Sequence, residues 1–186
     1  MKRAALITAI ALSLAGCGGG SHQSLTTQTA TTGMTTSTAA IPTAEKQHQG
    51  SNAKARATLR EAVRTALLAN HALAIHVLWT NRVPNSATRS TRGPALAGMR
   101  DSARGRQTRG VRVRMVHDDY RIASIDLDHS LARATAVARS IQTVLPSHLN
   151  GRPIGRSVRL NERARILLRR LGTSDSFVVW SITLLK

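Results

Sequence analysis

The chain has 186 residues, of which 27 are Lys or Arg and 9 are Asp or Glu, so its formal net charge is +18 at pH 7. The single cysteine excludes an intramolecular disulfide, and only 2% of the residues are aromatic. So few rings argue against a nucleic-acid partner bound by base stacking. The charge instead favours anionic phospholipid or an acidic wall polymer, and the alternative is an ordinary solvated surface of scattered arginines.

The start of the chain has the parts of a secretory signal peptide. Lys2 and Arg3 precede an apolar run over residues 4–15, which is shorter than the about 20 residues that span a bilayer. The run ends in Leu-Ala-Gly-Cys, which resembles the lipobox of bacterial lipoproteins. The resemblance implies cleavage between Gly16 and Cys17, a diacylglycerol thioether on Cys17, and an anchor on the extracytoplasmic face of the cell membrane. An ordinary cleaved signal peptide is the alternative.

A change of composition divides the rest of the chain. After the signal peptide (1–16), residues 17–51 are rich in Thr, Ser and Gly and have almost no large apolar side chains. Such a segment has too little apolar surface to offset the entropy of ordering, so it is predicted to be a disordered tether behind the lipidated cysteine. Residues 52–186 are of a common size for one compact domain.

Two helices are predicted at the start of this domain. Apolar residues recur at helical spacing over residues 59–78, which predicts an amphipathic helix that ends near Trp79. Its opposite side is basic and carries Arg56, Arg60 and Arg64. After a loop, Pro94 favours the first turn of a second helix over residues 95–109, and Gly110 favours its end.

Strands are predicted over the remainder of the domain. Alternating apolar and basic residues predict a strand over 111–115, and the Asp pair at 118–119 is interpreted as a turn before a returning strand over 120–127. Residues 132–145 fit either a helix or a strand, with the strand preferred, and residues 158–171 have the same ambiguity. The remaining predictions are turns at 128–129 and 172–176 and a strand over 177–185.

This order of elements predicts an α+β fold with N-terminal helices packed on a curved, mainly antiparallel sheet. It resembles the cone-shaped roll of nuclear-transport-factor-like and SnoaL-like proteins over residues 52–186. The resemblance implies strands that curl around a helix and enclose a pocket. Members of that group are enzymes, or they bind ligands or partners, so the fold does not decide the function.

Three groups of residues contain side chains that are suited to catalysis or metal binding. The group His117, Asp118, Asp119 and Tyr120 contains acid and base chemistry, but neighbouring residues on a strand point to opposite faces. The group Asp126, Asp128 and His129 offers fewer oxygen ligands than calcium needs and fits a polar turn. His71 and His76 are five residues apart, whereas zinc-binding pairs on a helix are four apart. No catalytic residue, metal site or cofactor is predicted.

The strongest candidate binding surface is the basic stretch over residues 82–114. Arg100 and Arg104 are one helical turn apart, and Arg112 and Arg114 share one face of the predicted strand. Guanidinium groups so placed suit phosphate groups. The sequence therefore predicts a non-enzymatic, lipid-anchored binding or accessory module at the cell envelope. The alternative is a SnoaL-like enzyme or small-ligand carrier with a pocket inside the cone.

Overall fold

The computed structural model describes the backbone of residues 43–186 and the side chains of residues 52–186. The predicted signal peptide, Cys17 and most of the predicted tether lie outside these residues. The described chain consists of two α-helices with a short 3-10 helix between them, followed by a four-stranded antiparallel sheet on which the helices pack. The predicted α+β fold is confirmed. Neither α-helix in residues 43–186 combines the length and apolar character needed to cross a bilayer.

The first helix, α1 (Thr43–Thr80), carries the predicted apolar stripe. Leu59, Val63 and Leu67 are at most 4% exposed and pack in the main core. The helix begins earlier than expected, because residues 43–47 include Ala, Glu, Lys and Gln, which have high helix propensities although they cannot form a core. The predicted boundary between tether and domain at residue 52 therefore falls inside α1.

The second helix, α2 (Gly93–Thr108), follows a 3-10 helix (Asn85–Arg89) and agrees with the prediction. Pro94 lies in the first turn of α2, where its missing N–H costs no hydrogen bond. Gly110 follows the end of the helix with a φ of 67°, a conformation that glycine adopts without steric cost.

One arginine of the basic stretch belongs to the core. Arg106 in α2 is 3% exposed, and its guanidinium donates to Asn81 Oδ1 at 2.9 Å and to the carbonyl oxygen of Val77 at 3.1 Å. Burial, with the nearby charge of Arg109 as a second cause, lowers the pKa of Arg106 to about 10. Arg106 therefore ties α2 to the end of α1 and does not face a partner.

The sheet follows the chain order, and each strand pairs with the next one. Its strands are β1 (Val111–Leu127), β2 (Arg133–His148), β3 (Val158–Arg170) and β4 (Phe177–Leu185). The strand interpretation of residues 132–145 and 158–171 is confirmed, as are the final strand and the turns at 128–129 and 172–176.

The turn predicted at residues 118–119 is wrong, because β1 runs through it without a break. Asp118 faces the helices and accepts hydrogen bonds there, whereas Asp119 faces the other way and pairs with Arg121 at 2.9 Å. Both carboxylates therefore find partners while the backbone of β1 stays extended, and no turn is required to satisfy them. Register shifts after Met115 and Ile122 mark β-bulges, which bend a strand and increase its twist.

The main core lies between α1 and the face of the sheet turned toward it, called here the inner face. Ala134, Ala136 and Ala138 of β2 are at most 3% exposed and occupy alternate positions on that face. Their small side chains let the helix backbone approach the central strands closely. Leu168 and Val179, both fully buried, close the core on β3 and β4.

Candidate functional site

A row of polar residues crosses the inner face of the sheet. Tyr120 in β1 pairs with Ser140 in β2, and Ser140 pairs with Glu162 in β3. Residues two apart on a strand share a face, so this row lies directly beside buried Ala138. The three side chains are half-buried. Three strands thus place a phenol, a hydroxyl and a carboxyl side by side beneath the helices.

Helix α1 places His71 over the β1 end of this row. His71 Nε2 lies 2.6 Å from Asp118 Oδ2, and Gln142 Nε2 donates to Asp118 Oδ1 at 3.1 Å. The imidazole also stacks on the ring of Tyr120, with 4.0 Å between the ring centroids and 12° between the planes. The carboxylate and the phenol ring together fix the orientation of His71.

Burial governs the electrostatics of the row. Burial, with the charge of Asp118 as a second cause, raises the pKa of Tyr120 to about 12. Burial alone raises the pKa of Glu162, since no described side chain offers its carboxyl a hydrogen bond or an ion pair. The Ser140 Oγ is buried and has no hydrogen-bond partner among the described residues. The row therefore places one buried hydroxyl that lacks a hydrogen-bond partner beside a carboxyl whose pKa is raised by burial.

These groups line a cavity of about 100 Å³, called here the inner cleft. Its polar lining residues are Asn70, His71, Tyr120, Arg139, Ser140, Gln142 and Glu162. Both helices and the inner face contribute apolar walls, which include Ile75, Leu78, Met99, Ile166, Ile182 and Leu184. The volume lies below the roughly 300 Å³ at which pockets for drug-sized ligands begin. A dry cavity of about 150 Å³ holds benzene, so the inner cleft has room for about four non-hydrogen atoms.

Ser140 and His71 do not form a hydrogen-bonded pair of nucleophile and base in this structure. Activation of a serine requires a base within hydrogen-bond reach, but His71 Nε2 is directed to Asp118. Within the described residues, Ser140 Oγ has no hydrogen bond to His71 or to any other group. The arrangement can instead accept a ligand that carries hydrogen-bond donors and places an apolar part against the walls.

The other sequence candidates do not join this cleft. His76 and His129 are exposed, and so is Asp126. Asp128 accepts hydrogen bonds from Ser130 Oγ at 2.8 Å and from the backbone N–H of Arg133 at 3.2 Å, which is the polar-turn role expected of it. In residues 52–186, no three His, Cys, Asp or Glu side chains gather as metal ligands would.

The outer face of the sheet, turned away from the helices, carries a second feature. Arg121 of β1 pairs with Arg139 of β2, which pairs with Arg163 of β3, and all three side chains are exposed. These three residues are called here the arginine row. Further exposed arginines lie on the same face of β3, namely Arg159 and Arg165. Nearby polar partners are few: Asp119 accepts from Arg121 at 2.9 Å, and Asn161 accepts from Arg139 at 3.3 Å.

The four arginines predicted as a binding surface occupy different surroundings. Arg100 and Arg104 are exposed on α2, and Arg104 has only a loose ion pair of 3.7 Å with Asp101. Arg112 is half-buried, and its guanidinium lies 3.7 Å above the ring of Trp79. Arg114 is exposed and lines a shallow surface depression with Ile75, His76 and Trp79 of α1. Arg112 and Arg114 therefore lie beside the end of α1, away from the arginine row.

Both structural features were missed by reasoning from the sequence. The signal for the outer face was present in β3, where Arg159, Arg163 and Arg165 occupy odd positions and Glu162 stands at an even one between apolar residues. If that segment is a strand, side chains at alternate positions point to opposite faces, so the arginines lie on one face and Glu162 with the apolar residues lies on the other. The rows across neighbouring strands, however, depend on the register, which long-range pairing fixes.

Comparisons with known proteins give the fold alone. No protein-family model matches the chain, and a search of curated proteins gives no match. The intermembrane space region of the chloroplast protein ARC6 aligns with a TM-score of 0.57 at 10% identity, over 67% of this chain and 95% of that chain. The shared feature is the α+β fold.

Two structures from Catenulispora acidiphila align with lower scores. One has a TM-score of 0.36 at 16% identity, over 68% of this chain and 92% of that chain. The other, in complex with S-DNPA, has a TM-score of 0.39 at 16% identity, over 67% and 92% of the two chains.

Proposed function

We propose that this protein is an exported lipoprotein, anchored in the cell membrane by a diacylglycerol on Cys17, whose α+β domain is a non-catalytic module that binds anionic lipid surfaces. The observation that carries the binding role is the arginine row, in which Arg121, Arg139 and Arg163 stand in register across three strands. The Leu-Ala-Gly-Cys sequence behind a charged and apolar start supports the anchor.

The arginine row is unfavourable for the isolated domain. Like charges directly opposite each other on neighbouring strands repel, and one carboxylate, that of Asp119, pairs with the row at its β1 end. An anionic surface removes this repulsion. Each guanidinium can form two parallel hydrogen bonds with a phosphate group, a geometry that the ammonium of lysine does not offer.

Apolar residues between the arginines suit a lipid surface. Val137 and Ile141 flank Arg139 on the outer face of β2, and both are half-buried. A face that combines guanidinium groups with aliphatic side chains matches the headgroup region of a bilayer, where phosphates lie above hydrocarbon. A lipid on Cys17 would hold the domain at that surface, and a single acyl signal combined with a basic surface gives firmer attachment than either alone.

Flotation with vesicles tests the binding role. The mature chain, residues 17–186 with Cys17→Ser, lacks both the apolar signal peptide and the lipid, and it is mixed with phosphatidylcholine vesicles with or without phosphatidylglycerol. Replacing Arg121, Arg139 and Arg163 by Gln should weaken binding to the anionic vesicles about a hundredfold, since each basic residue near such a surface contributes about 1 kcal/mol. The matched control replaces the exposed residues Lys54, Arg60 and Arg64 by Gln, which removes the same charge from α1.

The outcomes separate a specific face from general charge. Equal loss in both triple variants would mean that net charge alone attracts the protein, and binding insensitive to salt and to phosphatidylglycerol would overturn the proposal. Binding to a soluble acidic wall polymer, with no binding to vesicles, would assign the same face to the other anionic partner.

A second candidate function rests on the inner cleft. The resemblance to nuclear-transport-factor-like and SnoaL-like rolls implies a pocket between helix and sheet, and the inner cleft lies between α1, α2 and the inner face. The observation that favours a small-ligand carrier is the buried Ser140 Oγ, which has no partner among the described residues. Buried polar atoms are normally hydrogen-bonded, so a ligand group there would complete the site.

A further inference from the structure

Among the half-buried carboxylates of residues 52–186, Glu162 is the one without a hydrogen bond or an ion pair to a side chain. Lys and Arg outnumber Asp and Glu by 27 to 9, yet no described basic side chain reaches Glu162. Its cross-strand neighbour on the inner face is Ser140, whose buried hydroxyl has no hydrogen-bond partner among the described residues. Arg139, next to Ser140 in sequence, faces outward and donates to Asn161 at 3.3 Å. Arg139 also contributes to the lining of the inner cleft, but its guanidinium is directed to Asn161 and not to Glu162. Glu162 is the one acidic residue among those that line the inner cleft.

We propose that the inner cleft binds a small primary alkylamine, with the ammonium group between Glu162, Ser140 and Tyr120 and the alkyl part against the apolar walls. The inference rests on the second candidate function, that the inner cleft holds a ligand at all. It is independent of membrane binding by the outer face.

The chemistry of the polar row selects a cation that donates hydrogen bonds. An ammonium group has three donors and no acceptor. Glu162 offers a carboxylate, and Ser140 and Tyr120 each offer a hydroxyl oxygen, so three acceptors in adjacent strands can receive the three donors. An ammonium bound to Glu162 forms a charge-assisted hydrogen bond, which is about twice as strong as a neutral one. A carboxylate ligand would be repelled, and an alcohol would leave Glu162 without a counter-charge.

The walls and the volume limit the rest of the ligand. The cavity of about 100 Å³ accommodates roughly four non-hydrogen atoms, by comparison with the cavity of about 150 Å³ that holds benzene. Leu78 and Met99 from the helices and Ile182 and Leu184 from β4 provide an apolar environment for carbon atoms. A chain of three carbons and one nitrogen fills this space.

Three probes of nearly equal size test the proposal. n-Propylamine, 1-propanol and propionate are titrated into the isotopically labelled full-length chain, and binding is followed by amide chemical shifts. Ligands this small bind with dissociation constants on the order of 1 mM, which this method measures. n-Propylamine should bind at least tenfold more tightly than 1-propanol, and propionate should not bind. Shifts should concentrate in the strand residues around Ser140 and Glu162.

Variants assign the effect to Glu162. Glu162→Gln keeps the shape of the side chain and removes its charge. It should weaken the binding of n-propylamine at least tenfold and leave the binding of 1-propanol unchanged. Ser140→Ala should weaken the binding of n-propylamine by a smaller factor. Glu61→Gln is the matched control, because Glu61 is exposed on α1 and pairs with Arg64 at 3.5 Å, away from the inner cleft. The amide spectrum of each variant verifies its fold.

The outcomes distinguish two claims, that the inner cleft binds a ligand and that this ligand is an amine. Equal affinity for n-propylamine and 1-propanol, or unchanged n-propylamine binding by folded Glu162→Gln, would overturn the amine assignment and leave the inner cleft as an apolar ligand site. Failure of all three probes to shift any resonance of the inner cleft would overturn the second candidate function as well.

Discussion

The His71 imidazole and the Asp118 carboxylate join α1 to β1 through a contact of 2.6 Å between Nε2 and Oδ2. Their side chains are 16% and 22% exposed, so water screens the contact weakly. Hydrogen bonds to charged groups in such surroundings contribute about 1.5 to 3 kcal/mol. A double-mutant cycle with His71→Ala and Asp118→Asn, measured by urea unfolding at pH 7, should therefore give a coupling energy of at least about 1 kcal/mol.

The exposed pair of Arg121 and Asp119 is the control for that cycle. Its nitrogen and oxygen are 2.9 Å apart, but the Arg121 side chain is 78% exposed. Solvent screening and the freedom of long side chains make such a pair a weak contributor. Its coupling should be clearly smaller and should vanish in high salt. Equal coupling in the two cycles would mean that His71 and Asp118 do not connect α1 to the sheet as the distance implies.

Ionisation of Tyr120 can be observed without interference, because the chain has one tyrosine. In the folded protein, burial first and the charge of Asp118 second raise its pKa to about 12. Absorbance of the phenolate at 295 nm should therefore rise with a midpoint near 12 in the folded chain and near 10 in urea. A folded midpoint near 10 would contradict the burial of the ring between His71 and the sheet.

The same shift predicts a loss of stability at high pH. The folded pKa lies above the unfolded value, so the unfolded state releases the proton first as the pH rises. Below pH 10 the ionisation of Tyr120 does not change the free energy of unfolding, and between about pH 10 and 12 it should lower this free energy by about 2 kcal/mol. Tyr120→Phe cannot ionise, so the difference in the free energy of unfolding between the two proteins should change only in that range.

The helices and the turn before β4 were predicted correctly because their signals lie in residues that are close in sequence. These signals are the apolar period of α1 and the glycines after α2 and before β4. The error at Asp118 and Asp119 has a different cause. Two adjacent aspartates favour a turn in isolation, but Asp118 is satisfied by His71, 47 residues earlier in the chain, and by Gln142 in the next strand.

Both candidate sites depend on the register, which explains why they were not predicted. Ser140 and Glu162 are 22 positions apart, and they meet because β2 and β3 pair with one particular alignment. A shift of one residue would exchange the inner polar row for the outer arginines. The composition shows that the protein is basic, but only the pairing of β1, β2 and β3 shows that three of its arginines lie in one row.

Gly93 provides a test of the packing between α2 and β4. Its φ is 58°, and a Cβ at this position would lie 2.8 Å from ring carbons of Trp180. Gly93→Ala should therefore incur both a left-handed backbone penalty of about 1 kcal/mol and a clash of about 1 to 3 kcal/mol. The free energy of unfolding measures the sum, and the fluorescence of Trp180, measured in a Trp79→Phe background because the chain has two tryptophans, reports any displacement of the ring.

Gly110 separates the two contributions. Its φ is 67°, but a Cβ there would meet no atom within 4 Å. Gly110→Ala should be destabilised by the backbone penalty alone. Gly93→Ala should therefore be the more destabilising change by at least about 1 kcal/mol. Equal losses in the two variants would show that the ring of Trp180 does not rest against Gly93.

The proposed anchor makes a prediction that does not depend on the domain. The thiol of Cys17 is the group that receives the lipid in a lipobox, and a serine hydroxyl does not replace it in this role. Cys17→Ser should therefore leave the protein in the soluble fraction or as uncleaved precursor, whereas Ser21→Ala, four residues later, should have no effect. Cell fractionation and the intact mass of the membrane-bound form measure both changes. Unchanged attachment and mass in Cys17→Ser would exclude the lipoprotein assignment, and the outer face would then have to provide any membrane attachment alone.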